Sequence, residues 1–331
     1  MEIGKKNGLK VGVIGASGIG QHHARWHTLC GSRVVGFVGT SDTSVARTAE
    51  RLKDYFGFEG RGYTSITEML ETERPDVVAV TSSYARHKEH ALEAIQFGAH
   101  VLCEKPLVWD EELTLDEIMA DGREVVRAAQ LSEALFGMTA QYPACIPMYR
   151  ELYASERGPM GEVKTIEMEM EVKRRGDRKL FESNWIDVAS HPLSMVIALL
   201  GRGEIVEGAS CRVEETECQA SFDYDGESGR THVSFVLRDV AEGVPLRRFG
   251  VNGFLVDWDG FADGDGIYRA RLTHKDQSVS GEDFLHTMIR EFTESVLSGD
   301  VGDTVSAQEA LLNLEHQVEL LRLSHEGASA A

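Results

Sequence analysis

The stretch KVGVIGASGIGQHHARWH, Lys10 to His27, runs from a short apolar segment through a glycine-rich turn into a helical pattern. In GASGIG, Gly15, Ser17 and Gly20 hold the three positions of a G-x-G-x-x-G turn, with Gly18 and Ile19 between them. In such a turn the first glycine permits the sharp bend, the second lets the backbone approach a pyrophosphate, and the third lets helix pack on strand. The helix start adds free N–H groups and a positive dipole end. Ser17 departs from the pattern but is small, its hydroxyl can donate to a phosphate oxygen, and Gly18 beside it adds freedom. The chemistry is that of a dinucleotide site; the bland alternative is a strand-to-helix turn with no ligand. About 20 residues further on, where such sites hold a ribose 2′-hydroxyl with a carboxylate, register places Thr40, with Ser41 beside it and Asp42 just beyond. Small hydroxyls accept a 2′-phosphate that a carboxylate would repel, and Arg47 is near, so NADP is favoured. NAD stays open if Asp42 turns back to serve the ribose.

Other constellations carry less. His23 and His27 stand four apart on a predicted helix with His22 adjacent, a spacing that can bind zinc, but no neighbouring carboxylate or cysteine completes a set. No metal is expected. The acidic DWDGFADGDG, Asp257 to Gly266, is like a calcium loop, yet Phe261 takes the third ligand's place and no glutamate closes it. Hairpin turns account for it. The 5 cysteines include no C-x-x-C pair, so neither a disulfide framework nor a zinc knuckle is expected.

These residues need elements to position them. With 331 residues the chain is long enough for two domains, and 42% hydrophobic against 27% charged residues is the balance of a folded globular protein. A net charge of -20 repels nucleic-acid backbones and anionic lipid, so neither is an expected partner. No stretch reaches the roughly 20 apolar residues that span a bilayer, and the N-terminus has no signal-type segment; a cytoplasmic location is expected. From Leu9 to Leu107, β-rich apolar runs alternate with helical segments: KVGVIG, RVVGFVGT, DVVAVTS and HVLCEKP are strands, separated by four helices. Strands apolar on both faces between helices imply a doubly wound parallel sheet. A further helix follows over Glu112 to Ala128. Beyond Gly161, EVKTIEMEMEVKR, CQASFDYD, GRTHVSFVLRD and RRFGVNGFLVDWDG alternate in the manner of antiparallel strands, punctuated by Asp-Gly turns. WIDVASHPLSMVIALLG and EDFLHTMIREFTESVLSG read as helices, and the final EGASAA as a frayed end. The expected domains are 1–137, an α/β unit, and 138–331, an α+β unit with a large, mainly antiparallel sheet.

At HVLCEKPL the chain resembles the glucose-fructose oxidoreductase / inositol dehydrogenase / MocA family, in which an E-K-P motif ends the fifth strand. Glu104, Lys105 and Pro106 match it. An upstream threonine-proline-to-histidine motif is matched in part by Thr81 and His87, with Ser82 in place of the proline. The family's second-domain D-x-x-x-H signature is similar to DVASHP, Asp187 to Pro192. Ala189 stands at the usual glycine, and Ser194 where many members have a sugar-contacting aspartate; both depart from the family pattern. The resemblance implies an N-terminal Rossmann domain and a bend of cis type at Pro106. It also implies a cofactor site drawing on Gly15, Ser17, Gly18, Ile19, Gly20, Thr40, Ser41, Thr81, Ser82, His87, Glu104 and Lys105.

The implied reaction passes a hydride between NADP or NAD and a hydroxyl or ketone carbon of a sugar, cyclitol or related polyol, in a cleft between domains. Oxidising an alcohol requires removal of its proton as hydride leaves. A histidine, ordinarily of near-neutral pKa, is the natural base, which suits His191. Asp187, one helical turn earlier, would fix its tautomer or stabilise the imidazolium, and Lys105 would stabilise charge developing on the alcohol oxygen. Tyr142 and Ser194 are candidate substrate contacts. So are Arg174 and Arg175 in KRRGDRK, the one concentrated basic run, as a clamp for an anionic sugar; a solvated loop is the alternative. A ketoreductase on a nucleotide-linked or secondary-metabolite sugar, an enzyme on a non-sugar substrate, and a non-catalytic cofactor-binding regulator are the rival readings. The family's pairing mode implies a homodimer or homotetramer through the outer face of the second sheet, a role to which the apolar alternation of IEMEMEV is suited.

Overall fold

The computed structural model describes residues 8–173, 181–299 and 306–330. The chain divides into two compact units, one running to Thr139 and including Leu285–Leu311, the other comprising Ala140–Phe284 and the chain from Leu312. The segment Leu285–Leu311, placed by sequence in the second half, therefore packs with the first unit. Trp26 stacks on His286 with centroids 4.6 Å apart, and Gly137 bridges Ser306.

In the first unit, strands and helices alternate: β1 (Lys10–Ile14), α1 (Gly20–Leu29), β2 (Arg33–Val38), α2 (Asp42–Phe56), β3 (Arg61–Tyr63), α3 (Ile66–Glu73), β4 (Val77–Val80), α4 (His87–Gln96), β5 (His100–Glu104), α5 (Leu115–Leu131) and β6 (Phe136–Thr139). The strands form one parallel sheet of order β3-β2-β1-β4-β5-β6. Strand order reverses between β1 and β4, and the crevice beyond the carboxyl ends of the strands at such a reversal is where open α/β sheets bind ligands. The expected doubly wound sheet is there, with β3 and β6 in addition; their residues, RGY and FGMT, are too few to show a period. Helix α5 begins at Leu115 rather than Glu112 because Thr114 and Glu117 cap it reciprocally.

The second unit carries α6 (Ile146–Arg157), β7 (Thr165–Lys173), α7 (Ser183–Val188), α8 (Ser190–Leu200), β8 (Gly203–Ile205), β9 (Ser210–Val213), β10 (Glu217–Gly226), β11 (Gly229–Val240), β12 (Arg247–Val251), β13 (Phe254–Ala262), β14 (Tyr268–His274) and β15 (Gln277–Glu282). Helices α9 (Phe284–Ser298) and α10 (Ala307–Ala330) close the chain. The nine-stranded sheet runs β15-β14-β13-β12-β7-β11-β10-β8, with β9 on β10, and only the β7–β11 pair is parallel among the described strands. Helix α10 continues through EGASA, the stretch expected to fray; its alanines favour helix.

Alternation on β7 works differently from the expectation. Ile166, Met168 and Met170 are buried, on the face where Trp185 of α7 stacks on Phe235 of β11. Glu167, Glu169 and Glu171 take the outer face, where Arg238 pairs with Glu169 and Glu217, Arg248 with Asp257, and Arg271 with Asp259. The apolar residues of IEMEMEV thus build the core of this unit and are not an interface. Asp225-Gly226 and Asp259-Gly260 lie within strands, while Asp263-Gly264 and Asp265-Gly266 form the β13–β14 turn as expected; a tight hairpin not expected from sequence falls at Asn252-Gly253, both with positive φ (51° and 70°), the backbone a type I′ turn needs.

Tyr149 of α6 clamps that hairpin. Its hydroxyl accepts from Val251 N and donates to Phe254 O, each at 2.8 Å, in a buried position. Tyr149→Phe should strand both backbone groups and cost about 2 kcal/mol, seen as a lower urea midpoint at unchanged slope; an unchanged midpoint would show the clamp to be dispensable.

His27 on α1 is fully buried and neither ring nitrogen has a partner. Burial, with the neighbouring His23 charge, lowers its pKa from 6.5 to about 3. The unfolded ring therefore binds a proton below pH 6.5 while the folded ring resists until about 3, and stability falls as pH falls through that window, by up to about 1.4 kcal/mol per pH unit. In His27→Leu, urea unfolding at pH 7.5 and pH 5 should differ less than in the parent protein; equal differences would mean that the folded ring is charged.

Candidate functional site

The first unit builds its site where β1 and β4 end side by side. Gly15 has φ +93°, and a Cβ there would lie 2.7 Å from Thr81 O and 2.9 Å from Ser82 Cα. A Cβ on Gly20 would lie 2.4 Å from Thr81 Oγ1 and 2.6 Å from Gly15 O. Neither position admits a side chain. Thr81, buried, fixes the crossing by donating from Oγ1 to Ile14 O at 2.9 Å. Ser17, Gly18 and Ile19, by contrast, are exposed at the rim, and nothing lies within 4 Å of a Cβ on Gly18. Helix α1 follows with no side-chain cap; Gln21 N and His22 N donate to Gly18 O and Ile19 O, and the positive end of the helix dipole faces the turn. The serine in the middle position does not block the turn: the open space at Gly18 serves the close approach, and the turn fits the pyrophosphate of a dinucleotide.

At the end of β2, Thr40 is exposed. Ser41 is the N-cap of α2, its Oγ accepting from Ser44 N at 3.2 Å, and Asp42 opens the helix. One residue here escaped sequence reasoning: Arg51, a turn beyond Arg47 on α2, donates from Nη1 to Ser17 O at 3.1 Å. Helical spacing from Arg47 was the available signal.

Glu104, expected at the cofactor, is instead an anchor. It is buried and accepts from His23 Nε2 at 2.8 Å, tying α1 to the end of β5. Burial alone would raise its pKa, but the His23 bond and charge, with the charge of Lys105, outweigh burial and hold the carboxyl at about 2. His87 is also buried: Nδ1 lies 2.9 Å from Pro106 O and Nε2 3.2 Å from Ser82 O. Burial keeps its pKa below the ordinary value, so the neutral ring donates to one of these carbonyls at a time. Ser82 is bonded through Oγ to His90 Nδ1 at 2.8 Å. His87, Ser82 and Glu104 thus support the backbone around half-buried Lys105, whose peptide bond to Pro106 is cis. Among the described residues, no group of three or more His, Cys, Asp or Glu is placed to hold a metal, and no helix is long and apolar enough to cross a membrane.

In the second unit Asp187 lies on α7 and His191 in the first turn of α8, both half-buried. The backbone stays helical through Ala189 (φ -62°, ψ -25°), and the break there has a cause in Pro192, which offers no N–H to Val188 O. Asp187 and His191 therefore keep a four-residue spacing on one face, with fully buried Asn184 a turn earlier. Helix α10 holds the pair of helices from behind. Gln317 Nε2 donates to Trp185 O and Ile186 O at 3.2 Å each, and Asn313 Nδ2 donates to Ser190 O and Ser194 Oγ at 2.8 Å each. Ser194, expected to meet substrate, is buried with its oxygen turned to Asn313.

The Tyr142 ring lies 5.4 Å from that of His191 and 5.4 Å from Trp258, and is 2% exposed. Arg174 and Arg175 lie outside the described residues. Sequence reasoning missed Trp258, Asn313 and Gln317, whose roles come from contacts between distant segments.

The model of an oxidoreductase family with an NAD-binding Rossmann fold, Gfo/Idh/MocA, matches residues 9–137. A glucose-6-phosphate 3-dehydrogenase of Bacillus subtilis (strain 168) is 30% identical over 183 residues, 55% of this chain and 47% of its own length. An inositol 2-dehydrogenase of Klebsiella pneumoniae (strain 342) is 36% identical over 124 residues, 36% of each chain. The chain thus spans about half the length, or less, of these curated relatives. Among solved structures, a 3-ketoreductase from Actinomadura kijaniata in complex with NADP and TDP-benzene has the same fold, with a TM-score of 0.68 at 18% identity over 96% of this chain and 98% of that one. Residues 9–137 are thus similar to the Gfo/Idh/MocA oxidoreductase family, and the fold of the ketoreductase is shared along nearly the whole chain.

Proposed function

We propose that the protein is an NAD(P)-dependent oxidoreductase that moves a hydride between the nicotinamide and a hydroxyl or ketone carbon of a sugar, cyclitol or related polyol. The observation that carries this reading is the four-residue spacing of Asp187 and His191 on one helical face, in a chain whose first unit holds a glycine turn fit for a dinucleotide. The relatives named for glucose 6-phosphate and inositol support the substrate class. When bound, the nicotinamide supplies the hydride acceptor or donor. His191 takes the hydroxyl proton in oxidation and returns it in reduction. Asp187 stabilises the imidazolium that results, and Lys105 stabilises negative charge on the reacting oxygen.

Nicotinamide absorbance followed with myo-inositol, glucose and glucose 6-phosphate, with each cofactor, tests this. His191→Ala and Lys105→Met should each lower kcat about a hundred- to ten-thousandfold while cofactor still quenches tryptophan fluorescence. Turnover that survives in His191→Ala would remove the assignment. Cofactor binding without turnover of any substrate in the parent protein would favour the regulator.

NADP is the favoured cofactor: exposed Thr40 takes the place of a carboxylate, with Arg47 and Arg51 on the helix that follows, and the ketoreductase neighbour was solved with NADP. Thr40→Asp should then raise the KM for NADP at least about tenfold through like-charge repulsion. A KM for NADP that does not change would point to NAD held by Asp42.

A further inference from the structure

Strand arginines of the second unit are held by carboxylates: Arg238 by Glu217, Arg248 by Asp257, Arg269 by Asp263 and Arg271 by Asp259. Arg247 is not, among the described residues. Alternation along β12 sends Arg248 to the outer face and Arg247 to the face of Phe249 and Val251, which are buried. There its guanidinium carbon lies 4.4 Å from the centroid of the Trp258 ring. Stacking occupies the flat face of a guanidinium and leaves its N–H edges free to donate.

Two further donors belong to the same cluster. Trp258 packs on Tyr142 at 5.4 Å, and Tyr142 on His191 at 5.4 Å. The Tyr142 hydroxyl and Trp258 Nε1 are both buried without a hydrogen-bond partner, although buried phenols and indoles normally find one. Burial pushes the Tyr142 pKa well up, against the opposing Arg247 charge, so the phenol keeps its proton. A guanidinium edge, an indole N–H and a phenol O–H together suit a group rich in acceptor oxygens and carrying negative charge. In a chain of net charge -20 the global field disfavours such a ligand, so its recognition needs a local cation that the protein does not itself neutralise.

We propose that Arg247, Trp258 and Tyr142 form an anion subsite next to His191, which takes the phosphate or carboxylate of a sugar substrate. The subsite determines specificity and rests on the oxidoreductase reading. It differs from the Arg174 and Arg175 clamp expected from sequence.

Tryptophan fluorescence titrations with glucose 6-phosphate, glucuronate and glucose, without nicotinamide, test it. At least one anionic sugar should bind about ten- to a hundredfold more tightly than glucose, and the stronger of the two tells phosphate from carboxylate. Arg247→Gln should remove that preference and leave glucose unchanged; Arg247→Lys, which keeps charge but not the fork, should restore part of it. Thermal melts of both variants check folding. Equal binding of neutral and anionic sugars, binding of none, or an Arg247→Gln protein that still prefers the anion would overturn the proposal. Because the readout is binding without cofactor, its failure is distinct from a failure of turnover.

Discussion

The arrangement of the first unit depends on one crowded crossing, where the carbonyls of Ile14 and Gly15, the hydroxyl of Thr81 and the start of α1 meet. Two missing Cβ atoms make it possible, since either would come within 2.7 Å of a backbone or hydroxyl oxygen. Because Gly15 and Gly20 are filled by the protein, the space a ligand could use lies on the other side of the turn, at Ser17 and Gly18. That explains why a serine is tolerated in the middle position: of the three glycine roles, two are imposed by packing within the chain, and only the middle one depends on what approaches from outside.

The same logic governs the residues behind Lys105. A buried glutamate costs free energy unless it is paired, and His23 supplies the partner from α1 at 2.8 Å. The helix that opens at the glycine turn is thereby tied to the strand end that presents Lys105. His87 and Ser82 hold the adjoining backbone through carbonyls and His90. In the second unit, α10 plays the corresponding part through Asn313 and Gln317, whose amides take up backbone oxygens of α7 and α8 around the break that Pro192 causes. In both units the residues named for chemistry are few, and each rests on buried polar side chains that have no chemistry of their own.

Those supporting residues mark what could be read from sequence and what could not. Strand and helix order in the first unit was legible because its strands are apolar on both faces and its turns are rich in glycine. Asp187 and His191 were legible because their relation is local, four residues along one helix. Glu104, His87 and Ser194 were assigned to ligands on motif position; their actual partners, His23, Pro106 and Asn313, lie far along the chain, and no local pattern reports such contacts. The alternation of IEMEMEV gave the period of β7 correctly but not the face, since that depends on α7, which covers one side of the sheet. Of the Asp-Gly pairs, Asp263-Gly264 and Asp265-Gly266 turn as expected, whereas cross-strand pairing carries β10 through Asp225-Gly226 and β13 through Asp259-Gly260.

Charge shows how function and fold divide the same residue type. The outer face of the nine-stranded sheet sets arginines opposite carboxylates on neighbouring strands, pairs that are partly exposed and individually weak. Their effect is to neutralise cations that would otherwise offset the net charge of -20. Arg51, bonded to the carbonyl of Ser17, and Arg247, stacked on Trp258, stand apart from that lattice among the described residues. A backbone oxygen and an aromatic face leave a guanidinium its full charge, where a carboxylate would cancel it. In an acidic protein, an arginine held in this way can still attract a phosphate at short range, while the net field of the surface works against it at longer range.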